Sequence, residues 1–296
     1  MDYKWDRRAE EERYCAIWRG RPPNGVVDSS AFWDRRAEEW EHELRDNRVR
    51  KARGERRVRS TVEFLQGHGL LNGEGEVIDI GCGLGRFVVA FSKAAGHVTG
   101  LDISPHMIEC SAQLAASQRI KNVSFETCDF AEVDIDKNNW RSRFDLVFAS
   151  ITPALNSLAD LEKMIAMSRA YCFSSNSVNA HEPVTEDLLK DLFKIDLSLH
   201  WNGRQFYAMF NLLWLRGYFP LVTIFKESSE ERVRPNRSLA VRIAEKYLHG
   251  AAEADLEKIN DWLVKRTDSD GLLIFPTCRW YAWMLWDVRD QRERKY

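Results

Sequence analysis

Apolar residues in the middle of the chain come in short unbroken runs separated by stretches of helical periodicity. EVIDIG (76–81), HVTGLDIS (97–104), VSFETCDF (123–130), FDLVFASI (144–151) and AYCFSSNSV (170–178) read as strands. Runs of this length, bounded by turn residues, suit strands buried in a sheet. RFVVAFSKAA (86–95), PHMIECSAQLAASQ (105–118) and LADLEKMIAMSR (158–169) read as the helices between them. Ser104-Pro105 is a cap and first-residue pair for the second of these. VRSTVEFLQGHGLL, from Val58, reads as a helix that ends at glycines ahead of the first strand. Such alternation predicts βαβ units with right-handed crossovers on a parallel sheet.

The ends of the chain follow other rhythms. RQFYAMFNLLWLRG is an apolar-striped helix ending at Gly217, and LVTIFKES (221–228) is a strand. Pro235-Asn236 introduces SLAVRIAEKYL, and DLEKINDWLVKR follows, giving two helices; LLIFPTCRWYAWMLWDV then has strand composition. The simplest assembly adds two closing strands at the sheet edge with the helices inserted between them. Residues 1–60 are helical and charged, and WDRRAEE occurs twice, at 5–11 and 33–39. The copies are separated by RGRPPNGVVDSS, a turn or coil whose Asp28, Ser29 or Ser30 could cap the second helix. No third copy follows, so the chain is not a repeat array.

The expected class is therefore α/β: a doubly wound, mostly parallel seven-stranded sheet with helices on both faces, an N-terminal helical extension and a C-terminal helical insertion. Residues 1–57 form the extension and 58–180 the core. Residues 181–296 complete the sheet, with an insertion at about 236–266 for substrate or dimer contacts.

Composition narrows the partners. A net charge of −2 over 296 residues gives no global attraction to nucleic acid or an anionic membrane. One local exception is RDNRVRKARGERRVR (45–59), with eight basic and two acidic residues. It could grip phosphates, but a solvated helix face is the favoured reading, and no aromatics interleave with it for base stacking. No apolar stretch reaches the roughly 18 residues of a membrane span. MDYKWDRRAEEERY lacks the apolar centre of a signal peptide, so a cytoplasmic location is the expectation. Cysteines 15, 82, 110, 128, 172 and 278 form no CxxC pair and imply no metal.

The candidate chemistry begins at VIDIGCGLGRF (77–87). In a parallel sheet the ligand sits beyond the carboxyl ends of the strands, so the loop after the first strand is the place to look. Gly81, Gly83 and Gly85 remove every Cβ that would keep a ligand from the backbone. A dinucleotide fingerprint would read GxGxxG, but here the sixth position is Arg86. Asp79, two residues before the first glycine, is awkward beside a pyrophosphate and suits a ligand carrying an ammonium group. Asp102 follows Gly81 by 21 residues, where ribose hydroxyls are captured. Asp129 and Phe130 end the third strand, able to accept from an adenine amino group and to pack on its ring, as Ile103 also could. The purely structural alternatives are Asp79 tying the loop, Asp102 capping the next helix and Asp129 as a surface turn residue.

VIDIGCGLGRF, GLDIS, CDF and FDLVFAS, in this order and spacing, resemble the class I (Rossmann-like) S-adenosylmethionine (SAM)-dependent methyltransferases, in particular the small-molecule branch. The resemblance covers roughly residues 58–180. FWDRRAEEW also resembles the N-terminal helix that many small-molecule members place over the cofactor. It implies SAM as cofactor and S-adenosylhomocysteine as product. Asp79, Gly81, Cys82 and Gly83 would hold the methionine end, Asp102 the ribose and Asp129 the adenine. Ile103, Met107, Phe130, Ser150 and Trp40 would complete the cofactor site.

The acceptor is less legible. Methyl transfer from a sulfonium is an in-line displacement, and a general base matters only if the acceptor must lose a proton. Ser150, Thr152 and Asn156, at the end of the fourth strand, are polar candidates there, with Thr152-Pro153 as a plain loop turn the alternative. Ser-Ile-Thr-Pro does not match the Asn/Asp-Pro-Pro-aromatic of amino-methylating enzymes that act on nucleic acids. Trp201, Tyr207 and Trp214 could wall a substrate pocket, while core or homodimer packing is the plainer use of such aromatics. His181 and His200 are candidate bases. The expected function is methylation of a small or medium-sized organic acceptor. RNA or protein methylation through the 45–59 segment and a non-catalytic SAM-binding module are the alternatives.

Overall fold

The seven strands among the described residues lie in one sheet. The computed structural model describes residues 6–19, 30–46, 48–197, 203–248 and 251–291. Along the chain these form α1 (Arg7–Arg19), α2 (Ser30–Asp46), α3 (Arg48–Gly67), β1 (Glu76–Ile80), α4 (Arg86–Phe91), β2 (His97–Asp102), α5 (Pro105–Ser117), β3 (Val123–Thr127), β4 (Phe144–Ser150), α6 (Leu158–Met167), β5 (Ser168–His181), α7 (Pro183–Phe193), α8 (Arg204–Leu215), β6 (Leu221–Val233), α9 (Arg237–Tyr247), α10 (Glu253–Val264) and β7 (Leu273–Asp287). The spatial order is β3-β2-β1-β4-β5-β7-β6. Four pairings, β1 with β2, β1 with β4, β2 with β3 and β4 with β5, are parallel. The chain leaves β1 toward β2 and β3, then crosses back to β4, which opens a crevice at the carboxyl end of β1.

The chain divides into two compact units, one of Met1–Asn176, Gln205–Thr223 and Trp283–Tyr296, the other of Ser177–Arg204 and Ile224–Ala282. In the first, period-2 alternation gives β1 and β4 two buried faces. Ile78, Ile80, Val147 and Ala149 share a cluster with Leu161, Met164, Met167, Met209, Leu212 and Leu213 from α6 and α8. On the opposite face Phe148 meets Phe87 and Phe91 of α4, each at 4.8 Å, and stacks on Phe173 at 4.9 Å. Asp79, which pairs with Phe148 in register, belongs to this second face. In the second unit, Leu188, Leu189, Leu239, Ile243, Ile259 and Leu263 of α7, α9 and α10 form a separate core.

Several elements depart from the sequence reading. The helix expected over 86–95 ends at Phe91, because Asn122 Nδ2 donates to the carbonyls of Ser92 and Ala95 and satisfies the end locally. The third strand stops at Thr127, and Asp129 then caps a 3-10 turn at Phe130–Glu132. The sixth strand runs on to Val233. β5 starts at Ser168, inside the end of the expected preceding helix. α7 was not foreseen; Pro183 opens it and Leu188 and Leu189 bury it. The expected boundary at 57/58 lies inside α3, which passes through Gly54 unbroken. Ser104 does cap α5, accepting from the Met107 amide, with Pro105 at the first position.

Candidate functional site

Residues 81–85 turn on three left-handed glycines, with φ of +69°, +53° and +70° at Gly81, Gly83 and Gly85. Neighbouring strands and helices fix the loop. The Cys82 amide donates to the Leu101 carbonyl at 2.7 Å, and the Gly83 amide donates to Asp102 Oδ2 at 2.9 Å. Ser111 Oγ, from α5, donates to the Gly83 carbonyl at 2.7 Å. Asp102 also accepts from the Ser104 amide through Oδ1, at 3.0 Å. Burial holds its carboxyl above the ordinary value despite these bonds. Asp102 is thus both a tie for the glycine loop and an acceptor at its rim.

Asp79 is 1% exposed, and its Oδ2 accepts no hydrogen bond. Burial, reinforced by the charge of Asp102 and opposed by that of Arg57, pushes its carboxyl up to about 8. A buried carboxylate with an unused oxygen is costly unless a donor or a cation meets it. An ammonium group supplies both, so Asp79 fits the amino-acid end of SAM. Cys82 is turned inward, its Sγ against the space beside Gly100, and burial pushes its thiol well up. It shapes the loop through its backbone.

The N-terminal helices close over this loop. Trp40 of α2 is the side chain nearest the Cβ direction of Gly83, at 3.8 Å. Asp34, one turn and a half earlier, accepts from Ser104 Oγ and from the His106 amide, so α2 is fastened to the start of α5. Neither Asp34 nor Arg57 stood out in the sequence. For Asp34 the available signal was the second WDRRAEE copy beside an aromatic pair. For Arg57 it was the stripe Gly54, Arg57, Thr61, Leu65 at helical spacing, of which Thr61 and Leu65 are buried.

The remaining expected residues spread over several environments. Met107 is buried behind the cap of α5, Ile103 is half-buried, and Phe130 is buried in the core beneath Lys163, whose Nζ sits 5.1 Å from its ring. Asp129 is exposed and accepts from the Ala131 amide at 2.9 Å. The neighbouring Cys128 thiol is pushed by burial to about 11. Ser150 ends β4 opposite Ser175, and Ile151 follows with φ +51°. Thr152 Oγ1 accepts from the Ala154 amide at 3.2 Å and overlies Gly81. Asn156 is exposed. Gln205 Nε2 donates to the Leu155 carbonyl at 2.8 Å, bringing the start of α8 to this loop. Tyr207 sits there edge-on to Tyr14 of α1, centroids 5.8 Å apart. Trp214, nine residues beyond Gln205, is ~13 Å further along the helix at 1.5 Å per residue. His181 belongs to the second unit, with Nδ1 2.8 Å from Glu186. His200 and Trp201 lie outside the described residues.

A doubly wound sheet with the order 3-2-1-4-5-7-6, a GxGxG turn after its first strand and acids ending the first two strands define a Rossmann-like methyltransferase fold. A family model described as a methyltransferase domain matches residues 71–212. Residues 71–212 thus form a methyltransferase domain, on a sheet with the Rossmann-like fold of SAM-dependent methyltransferases. Among curated proteins it is similar to the 23S rRNA (uracil(1939)-C(5))-methyltransferase RlmD of Shewanella sediminis, 28% identical over 170 residues, 55% of this chain and 37% of that one. RlmD of Klebsiella pneumoniae is 32% identical over 91 residues, 30% of this chain and 20% of that one. The chain thus spans well under half the length of these relatives. Among solved structures, the BH2331 protein of Bacillus halodurans, to which a methyltransferase role is ascribed, superposes with a TM-score of 0.51 at 13% identity, covering 77% of this chain and 99% of that one. Among the described residues no helix is long and apolar enough to cross a membrane.

Proposed function

We propose that the protein transfers a methyl group from SAM to a small or medium-sized organic acceptor. The observation that carries the cofactor half is the buried Asp79 carboxyl with an unused oxygen beneath a three-glycine turn. When bound, the sulfonium supplies an activated methyl whose departure needs no metal or covalent enzyme intermediate. The chain's own residues then have three tasks. Asp79 fixes the ammonium end, Asp102 accepts from ribose hydroxyls, and Asp129 accepts from the adenine amino group. Trp40, Tyr14 and Tyr207 exclude water, while Thr152 and Ser150 orient the acceptor at the end of β4. Alignment of this kind supplies much of the rate of a displacement. The Tyr14 hydroxyl, pushed up by burial and by Tyr207, stays protonated near neutral pH and serves as a hydrogen-bonding wall rather than a base.

The favoured acceptor class rests on the aromatic α1–α8 wall beside the β4 loop. Calorimetry with S-adenosylhomocysteine tests the cofactor half, where absence of binding defeats the proposal. A metabolite screen with methyl-labelled SAM tests the acceptor half, where label must appear in a small molecule.

The RlmD likeness favours a second reading, methylation of RNA, with exposed Arg56 and Arg59 of α3 as docking charges. It requires RNA binding that weakens with salt and with neutralisation of those arginines. Label in RNA rather than in the metabolite fraction would decide for it.

A further inference from the structure

The sheet ends in an open edge. β6 is the last strand in the spatial order, and among the described residues no strand pairs with its outer side. It runs for 13 residues without a proline or a glycine, where edge strands are usually short or interrupted. Its contacts with β7, all within the second unit, fix which way each residue points. Lys226 Nζ lies 5.3 Å from the ring centre of Trp280, and Ser228 Oγ donates to Cys278 Sγ at 3.6 Å. The rings of Phe225 and Tyr281 are 5.7 Å apart, and the hydroxyls of Ser229 and Thr277 are 2.7 Å apart. As the residue number rises along one strand it falls equally along the other. The two strands are therefore antiparallel, with even positions on one face and odd positions on the other.

The odd face carries the helices. Val233, Leu273 and Phe275 join the core of α7, α9 and α10, and Arg279 donates to Glu182, the residue before α7, at 2.7 Å. The even face is open. Ile224 and Ile274 are 55% and 44% exposed, and Lys226, Ser228, Glu230 and Arg232 are exposed beside them. Charges on an edge strand normally discourage pairing with another chain. Here their signs are ordered about one residue, with Lys226 two positions before Ser228 and Glu230 two positions after it.

A second copy of the chain matches that order. A two-fold axis perpendicular to the sheet keeps the helix-covered faces of both copies on one side, and it relates even positions only to even ones. The axis then pairs one residue with its own copy, and the charges select which. Centred on Ser228, each Lys226 stands opposite the partner's Glu230 and each Glu227 opposite the partner's Ser229. The exposed Ile224 meets the aliphatic stem of the partner's Arg232. Centred on Glu227, that carboxylate meets its own copy. Centred on Ser229, Glu227 meets Glu231 and Lys226 meets Arg232. Only the Ser228 register joins opposite charges without opposing like ones.

We propose that β6 is a dimerisation edge, at which two copies of the chain pair antiparallel about Ser228 and continue the sheet. Main-chain hydrogen bonds supply the affinity, and the two Lys226–Glu230 pairs set the register. This assignment is independent of the cofactor reading above.

The test is charge reversal in the full chain, followed by light scattering and sedimentation. Wild type is expected to be a dimer. Lys226→Glu and Glu230→Lys each replace two attractive contacts with two repulsive ones and should weaken dimerisation by about tenfold or more. Mixed in equal amounts, the two variants regain both attractive pairs and should form a heterodimer as tight as the wild-type dimer. Recovery on mixing distinguishes a broken interface from a misfolded chain, because two damaged chains do not repair one another. Disulfide trapping reads the register, in chains carrying Cys278→Ser to remove the thiol beside Ser228. Lys226→Cys mixed with Glu230→Cys should cross-link on oxidation, and neither variant alone should do so. A monomeric wild type, a dimer indifferent to both reversals, or no recovery on mixing overturns the proposal. A cross-link within either cysteine variant alone and not in the mixture does the same.

Discussion

The side-chain oxygen of Thr152, on the loop after β4, occupies the space that a Cβ at Gly81 would need, so the glycine turn and the β4 loop are fitted to each other. Two costs meet in Gly81→Ala: the clash with Thr152, and a left-handed φ of +69°, worth roughly 1–2 kcal/mol for a residue with a Cβ. Gly81→Ala is expected to lower the melting temperature and weaken S-adenosylhomocysteine binding. Thr152→Ala in the same chain should restore part of the stability by removing Oγ1, but not the φ cost. A thermal-denaturation double-mutant cycle should give a coupling of about 0.5–3 kcal/mol, and strict additivity would refute the fit.

Asp79→Asn separates stability from binding. The folded value of about 8 lies above the ordinary 3.8, so between these values the folded chain holds a proton that the unfolded chain has lost. Stability contributed by the neutral carboxyl is complete at low pH and declines as pH rises toward 8. A neutral amide avoids that decline. Asp79→Asn should therefore raise the melting temperature of the ligand-free protein at pH 8, by roughly 2–4 °C for each kcal/mol gained, with little change at pH 5. The same variant should lose cofactor affinity.

Cofactor affinity should depend on pH for the same reason. Below about 8, ligand-free Asp79 holds a proton that must leave when an ammonium docks. Affinity for S-adenosylhomocysteine should rise from pH 6 toward 8, by up to tenfold per unit. It should fall again as the ligand's α-amino group, with an ordinary value of about 7.7–8.0, deprotonates. Calorimetry near pH 6.5 in buffers of different ionisation enthalpy should register about one proton released, and a flat profile in Asp79→Asn.

Asp102 joins two amides, those of Gly83 and Ser104. Removing its side chain leaves both donors short of a partner in a half-buried place, at about 1–3 kcal/mol each. Asp102→Ala should weaken methylthioadenosine, an adenosyl compound without the amino-acid end, as well as SAM. Unchanged methylthioadenosine binding would show that Asp102 serves the loop alone.

Asp34 fastens α2 to the start of α5 through Ser104 and the His106 amide. Asp34→Ala should loosen α2 and speed cleavage between α1 and α3 in limited proteolysis. The corresponding change at Asp6, which accepts from the Arg8 and Ala9 amides in the first heptapeptide copy, should leave cleavage there unchanged. Equal effects would mean that the two copies are interchangeable.

The sequence alone determined the strand–helix alternation, the seven-stranded sheet and the glycine turn with its acids at positions 79 and 102. These features are local. An apolar run makes a strand wherever it is buried, left-handed turns demand glycine, and an acid two residues before such a turn lies at a strand end in any parallel sheet. Tertiary structure alone decided which residues of a uniformly charged helix turn inward. Arg56, Arg57 and Arg59 carry the same charge; the spacing of Arg57 with Thr61 and Leu65 hints at its inward face, and the contacts of Gly54 with Arg86 and of Arg57 with Phe87 fix it. The two heptapeptide copies show the same limit, since identical residues cap a helix in one place and bind Ser104 in the other. Helix rotation, partner choice and the proton on Asp79 depend on groups far apart in sequence, and the chain specifies them only once burial brings those groups together.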